Sequence, residues 1–365
     1  MNDITLDVIK IFSLGTISFL LAFSLIPALS HFLYKHKLWK KKPKEKALDG
    51  TKLEVSKESY KKDKKVPRIG GLIVWMIPLF LAFLFFLLAK IFDQDWIRKI
   101  DFLSRDQTWI PLFTLVSASL IGLIDDLLQI LEKPANGFLN WFTSVLKPYM
   151  GEGLRLKHRI ILVTLIGLMG GYWFYFKLDY HSILIPFFGD FYLGYLFIPF
   201  FIIVMLATYS GSVIDGLDGL SGGTFAAIFT AFGVIAFSQG QINLASFCLV
   251  ITGSILAFLW FNIPPARFYM GETGILGLTT TVSVIAFLTQ SVMVLPIIGI
   301  LLLIESGSVI LQVLSKKYRG VKLFEAAPIH HHFESLGWPH YKVTMRFWII
   351  GAIAAIIGVT IRLLA

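Results

Sequence analysis

The chain has 365 residues, and 56% of them are hydrophobic. That is more apolar surface than a soluble fold of this length can bury, so a soluble class is excluded and lipid must cover part of the protein. The net charge of +10 does not point to nucleic acid, because the cations crowd loops between apolar runs, where polyphosphates and anionic headgroups are the fitting counterparts. The lone Cys248 excludes an intrachain disulfide and a thiolate metal cluster, and reads as a small packing residue.

A membrane span needs about 20 apolar residues. Runs at roughly 8–34, 69–92, 109–131, 160–177, 192–211, 219–238, 242–262, 275–290, 291–314 and 346–364 predict an all-α, polytopic protein of about ten transmembrane helices. The first run is too long for a signal h-region and follows Asp3 and Asp7 rather than a basic segment, so it reads as a span. Ten spans place both termini on one side and the loops 35–68, 132–159, 212–218, 263–274 and 315–346 on the other. Of the 33 Lys and Arg residues, only Lys10, Lys90, Arg98, Lys99, Arg105, Lys177 and Arg362 lie outside those loops. The positive-inside rule makes the loop side cytoplasmic and both termini periplasmic. The expected organisation is a single integral membrane domain over 1–365, with residues 35–65 a flexible basic cytoplasmic loop held near anionic lipid.

Each cytoplasmic loop carries groups suited to phosphate or a divalent cation. Lys64, Lys65 and Arg68 precede Gly70 and Gly71 at the second span; cations beside glycines suit a diphosphate, although positive-inside bias would also put them there. The third span ends with Asp125 and Asp126, an acidic pair at a helix C-terminus that costs stability unless a cation compensates. Asp215 and Asp218 lie three apart in the run DGLDGLSGG, on one helical face where they could share a cation, and helix capping is the plainer role. Asn262 opens a loop that leads to Met270-Gly271-Glu272-Thr273-Gly274, with Glu272 an exposed carboxylate at a tight turn or a dipole-matching first-turn acid. In Ala327–Glu334, the consecutive His330, His331 and His332 turn about 100° from one another on a helix, so they cannot share one metal and read instead as donors to phosphate or nucleotide.

A topology set only by hydropathy and Lys/Arg position puts all these groups on one side. Four carboxylates there, with cations nearby, imply Mg²⁺ and phosphoryl chemistry. A cation transporter is the rival from another class, since Glu305 and the acids could mark an ion path; the acids sit at loop borders, and no internal repeat is visible.

The acidic pair at 125–126, the DGLDGL run, the FN…P…MG-acid-TG loop and, more specifically, the APIHHHFE segment and Ser308–Val313 after Glu305 are similar to the phospho-N-acetylmuramoyl-pentapeptide transferase family of the polyprenyl-phosphate sugar-phosphate transferases. The similarity runs from about Val66 to Arg346. The resemblance implies transfer of phospho-N-acetylmuramoyl-pentapeptide from its UDP carrier to undecaprenyl phosphate, with release of UMP, in the bacterial cytoplasmic (inner) membrane, with the site facing the cytoplasm. It implies that Asp125 keeps the lipid phosphate deprotonated with Asp126 and Asp218 assisting, and that Asp215 and Glu272 ligate Mg²⁺. His330, His331, His332, Ser212, Lys64, Arg68, Arg159 and Asn262 are the implied substrate contacts. A homodimer is compatible with it, and a transferase for another UDP-N-acetylhexosamine is the nearest alternative.

The chain departs from the family's pattern at several of these positions. Glu272 stands where Asp is usual, moving the carboxylate by about 1.5 Å; Ser212 stands where Asn is usual, and Arg159 where Lys is usual. Val66-Pro67-Arg68-Ile69 replaces a threonine-rich run, so Arg68 takes over a phosphate contact usual for a lysine.

Overall fold

The computed structural model describes residues 3–39, 66–92, 94–104, 107–131 and 149–365. Lys64, and the basic 35–65 loop beyond Trp39, lie outside the described residues. In chain order the elements are α1 (Asp3–Lys35), α2 (Leu72–Ile91), a short α3 (Asp95–Ile100), α4 (Trp109–Ile130), α5 (Leu156–Lys177), a hairpin of β1 (Ser182–Ile185) and β2 (Gly189–Tyr192), and α6 (Phe197–Ser210). There follow α7 (Leu220–Ser238), α8 (Ile242–Asn262), α9 (Gly271–Leu288), α10 (Leu295–Ile298), α11 (Ile300–Arg319), α12 (Ile329–Ser335) and α13 (His340–Leu364). Nine of the helices among the described residues are long and apolar enough to span a membrane: α1, α2, α4, α5, α6 with its 3-10 flanks, α7, α8, α9 and α13.

Burial sorts these helices into a centre and a rim. In the most apolar window of α9, 89% of residues are buried, against 28% in α1, α5 and α13, so the latter three present most of their surface to lipid. α9 packs along α4, α8 lies between α1 and α7, α13 covers α7, and α5 pairs with α6. Small residues permit the closest of these approaches, as expected where no hydrophobic force drives helices together inside lipid. A Cβ on Gly122 of α4 would stand 2.0 Å from the Glu272 carbonyl oxygen of α9, and one on Gly277 of α9 would stand 2.0 Å from Ser119 Oγ of α4.

Three features differ from the sequence expectations. The run at 291–314 is not one span: α10 stops at Gly299, and α11 then runs on to Arg319. Glu305 within α11, and Lys316 and Lys317 near its end, set it apart from the nine apolar helices. Second, residues 182–192 form an antiparallel hairpin with Ser182 opposite Tyr192 and Ile185 opposite Gly189, a small exception to the all-α expectation; Phe187 and Gly189 at its tip have positive φ. Third, α9 begins at Gly271 rather than at 275, which places Glu272 inside its first turn.

The α1–α8 contact gives a stability test. A Cβ on Gly253 would stand 2.2 Å from the Gly15 carbonyl oxygen, so Gly253→Val should destabilise the protein by about 1–3 kcal/mol. A thermal midpoint in detergent equal to that of the unsubstituted protein would contradict this packing.

Candidate active site

The ends of α4, α5, α6 and α9 and the middle of α11, with the turn before α7 and the segment before α2, surround one cavity of about 470 Å³. Its polar wall includes Arg68, Asp126, Gln129, Arg159, Tyr209, Ser212, Asp215 and Glu272. Leu156, Ile160, Leu206, Val309 and Ile310 form an apolar wall, and Ile310 is also exposed on the outer surface of α11.

The two adjacent acids of α4 have different surroundings. Asp126 lines the cavity and is buried; its Oδ2 accepts hydrogen bonds from the Thr273 backbone N–H at 2.8 Å and the Thr273 hydroxyl at 2.7 Å. Those donors belong to the first turn of α9, whose N-terminal dipole offsets an acid near the end of α4. Asp126 Oδ1 has no partner among the described residues. Asp125 is buried behind the wall, accepting from Gln129 Nε2 at 3.0 Å and from the Leu154 N–H, with Arg159 Nη1 at 3.7 Å. Glu272 pairs through Oε1 with Arg159, leaving Oε2 buried and without a partner. Two residues at which the chain departs from the resembled family therefore meet. Arg68 donates to Gln129 Oε1 at 3.0 Å, so the two arginines and Gln129 tie α4, α5 and α9 into one polar wall.

The turn before α7 adds the other acids. Asp215 Oδ1 accepts from the Ser221 hydroxyl at 2.7 Å, and Oδ2 from the Gly271 N–H at 3.2 Å. Asp218 turns away from the cavity: its Oδ2 accepts from the Ala266 N–H at 3.1 Å. Asn262 spans the same region as a brace, accepting from the Gly219 N–H at 2.9 Å and donating to the Phe268 carbonyl at 2.8 Å. Gly70 and Gly71 have a packing role. Their N–H groups donate to Tyr269 and Met270 carbonyls at 2.9 Å, and a Cβ on Gly71 would lie 2.4 Å from Met270 O.

The three histidines part company. His330 is fully buried against Glu305 of α11, Nδ1 to Oε2 2.8 Å, and does not line the cavity. His331 Nδ1 faces Glu334 Oε2 at 2.5 Å, and Glu334 also pairs with His340. His332 Nδ1 accepts from the Glu325 N–H at 3.3 Å. The resembled Ser308–Val313 stretch has a structural use through Gln312, which accepts from the Leu323 and Phe324 N–H groups and donates to the Phe324 carbonyl, holding the chain that leads to α12. The sequence argument missed Gln129, Thr273, Ser221 and Tyr209. Gln129 follows Asp125 by one helical turn, and Thr273 and Ser221 sit inside the motifs already quoted, so these three had a signal; Tyr209 had none.

The donor set suits a divalent ion in part. Asp126 and Glu272 each keep an unpartnered oxygen, and the acids outnumber the arginines around the cavity. Among the described residues no group of three or more His, Cys, Asp or Glu side chains is placed to hold a metal. Two unpartnered carboxylate oxygens are within what Mg²⁺ takes from a protein, the rest of its octahedron being water and phosphate oxygens.

Residues 108–290 match the family model for glycosyl transferase family 4. The phospho-N-acetylmuramoyl-pentapeptide-transferase of Clostridium perfringens strain 13 is 37% identical over 69% of this chain and 75% of its own length. The protein of that name from Anoxybacillus flavithermus is 33% identical over 85% and 87%, and the one from Lactiplantibacillus plantarum 31% identical over 93% and 95%.

Asp215 allows a test by pH. Burial pushes its carboxyl up to about 6, and nearby Glu272 adds to the rise, while the Ser221 hydroxyl, Arg68 and the Gly271 N–H pull it back. The folded protein thus holds this proton more tightly than a chain with the ordinary value of 3.8. The stability linked to it is complete below that ordinary value and is lost as pH rises through about 6. With divalent cations chelated, Asp215→Asn should gain in thermal midpoint over the unsubstituted protein as pH goes from about 4 to about 7. A constant difference across that window would contradict the burial.

Proposed function

The chain belongs to glycosyl transferase family 4, among the phospho-N-acetylmuramoyl-pentapeptide transferases, and we propose that its cavity moves phospho-N-acetylmuramoyl-pentapeptide from UDP to undecaprenyl phosphate. The observation that carries this reading is the meeting of Asp126, Asp215 and Glu272 with Arg68 and Arg159 around one cavity that also has an apolar wall. A lipid phosphate oxygen attacks the phosphorus attached to the sugar. The bond from that phosphorus to the bridging oxygen breaks, and UMP leaves with the bridging oxygen and its electron pair. Both reacting groups are anions, so the site's first task is to shield charge and hold them in line.

Arg68 and Arg159 supply fixed positive charge beside the diphosphate. Asp215 and Glu272 are the residues that would hold Mg²⁺, and that ion, when bound, neutralises charge on the phosphate oxygens. Asp126, with an oxygen lacking a protein partner, and Asp125 behind it divide the remaining acid roles. The sequence expectation gave the proton to Asp125; because Asp126 and not Asp125 lines the cavity, our reading moves that role to Asp126 and leaves Asp125 to hold Gln129 and Arg159. Ser212 lines the same wall, where a bound donor would meet it. The apolar wall continues onto exposed Ile310, Leu311 and Leu314 of α11, a surface suited to a polyprenyl chain. The cavity sits at the end of the bundle that leads into the Lys-rich 35–65 segment, which by the positive-inside rule is the cytoplasmic end.

The purified protein with UDP-N-acetylmuramoyl-pentapeptide, undecaprenyl phosphate and Mg²⁺ should release UMP, and release should stop on chelation. Release from UDP-N-acetylglucosamine instead would move the chain to the alternative donor. Asp126→Asn and Asp125→Asn should each lower the rate by about 100-fold or more; a folded variant of either with undiminished turnover would remove that residue from the reaction.

A further inference from the structure

The β1–β2 hairpin joins α5 to α6 at the end of the bundle opposite the cavity, and it has no part in the roles above. Its root is fixed: the Leu193 and Gly194 N–H groups donate to the His181 carbonyl at 2.8 and 3.1 Å, and Ile183 is buried. Its outer part is uncovered. Every residue of β2 is exposed. Phe187, Phe188, Phe191, Tyr192, Tyr195 and Leu196 all stand open to the surroundings, Phe188 with 88% of its area. A contiguous patch of large apolar side chains calls for something to cover it.

The backbone at the tip points the same way. Pro186 and Phe187 are the central residues of a turn closed by the Phe188 N–H, which donates to the Ile185 carbonyl at 3.0 Å. Phe187 has φ of +67°, at a position where glycine or asparagine is the usual residue. A bulky ring is thus held out at the tip against its own conformational preference, which a turn facing water does not require.

The patch continues a surface that already faces lipid. On the exposed flank of α5 the Tyr172 and Phe176 rings lie 4.7 Å apart, and Phe176 is 4.9 Å from Tyr175. Tyr175 in turn meets His181 at 4.3 Å and Tyr195 at 5.4 Å, and Tyr192 lies 6.5 Å from His181. One run of rings therefore leads from α5 to β2 and to the start of α6. The backbone limits how deep the hairpin can go. A two-stranded sheet has open edges, whose N–H and C=O groups cannot be left in hydrocarbon, while its exposed rings are poorly placed in water. Both conditions are met at the level of the lipid headgroups, where aromatic side chains gather.

We propose that residues 182–196 form an interfacial anchor, with Phe187, Phe188 and Phe191 set into the headgroup–acyl boundary of the leaflet away from the cavity. The anchor fixes the depth at which α6 starts, and the other end of α6 lines the cavity through Leu206 and Tyr209. This assignment does not depend on what the cavity catalyses.

The test uses the full chain carrying Cys248→Ala, in nanodiscs of phosphatidylcholine and phosphatidylglycerol, with a spin label on one introduced cysteine. Phe188→Cys and Phe191→Cys put the label on the hairpin. Relaxation of the label by oxygen, which concentrates in lipid, is compared with relaxation by a water-soluble nickel chelate. Oxygen should dominate at both positions, with depths of about 5–10 Å into the headgroup–acyl boundary. Dominant relaxation by nickel would overturn the proposal, because the hairpin would then stand in water. Labels reached by neither reagent would also overturn it, by showing a second copy of the chain over the patch. Asp190→Cys carries a label that reports on the hairpin without removing a ring. In that background, Phe187→Ser, Phe188→Ser and Phe191→Ser together should raise nickel access at position 190; unchanged access in a cooperatively unfolding variant would contradict anchoring by these rings.

Discussion

The site depends on one junction, where the end of α4 meets the first turn of α9. An acid near a helix C-terminus is unfavourable by itself, and a helix N-terminus has backbone N–H groups without partners. Here each supplies what the other lacks, through the two hydrogen bonds from Thr273 to Asp126. The approach is close enough that Gly122 and Gly277 cannot carry a side chain without displacing a neighbour. From that junction the positions of Asp126 and Glu272 follow directly, because one is the acceptor and the other is the residue before the donor. Gly271, with φ of +69°, turns the chain into the junction, and its N–H reaches across to Asp215.

Two outer ties complete the arrangement. Arg159 bridges α5 to Glu272 and approaches Asp125, and Arg68 reaches Gln129 from the segment before α2. The loop before α9 is fixed in turn by the backbone bonds of Gly70 and Gly71 and by Asn262. The cavity is thus framed by rigid helix ends rather than by long loops, which suits a reaction whose catalysis is mostly placement and electrostatics.

Much of this was legible in the sequence because lipid imposes simple rules. Apolar runs and the sidedness of Lys and Arg gave the spans and grouped Asp125, Asp126, Asp215 and Glu272 at one end before any contact was known. What could not be read were the relations set by packing. Gly70 and Gly71 look like a phosphate cradle beside lysine and arginine, yet they make room for the backbone of the loop that ends at Gly271. His330 looks like an exposed donor in a histidine run, but the matching acid stands 25 residues earlier on another helix. The hairpin at 182–192 was hidden because its exposed aromatics resemble the spans on either side, and the break at Gly299 because its flanks are as apolar as an unbroken span.

The α4–α9 junction is best probed by Thr273→Val, which keeps the side chain's shape and removes the hydroxyl that donates to Asp126. If this contact sets the acid for the reaction, kcat for UMP release should fall about tenfold or more while the thermal midpoint moves little. Turnover equal to that of the unsubstituted enzyme would show that the position of Asp126 does not depend on that hydroxyl bond, and would contradict the account.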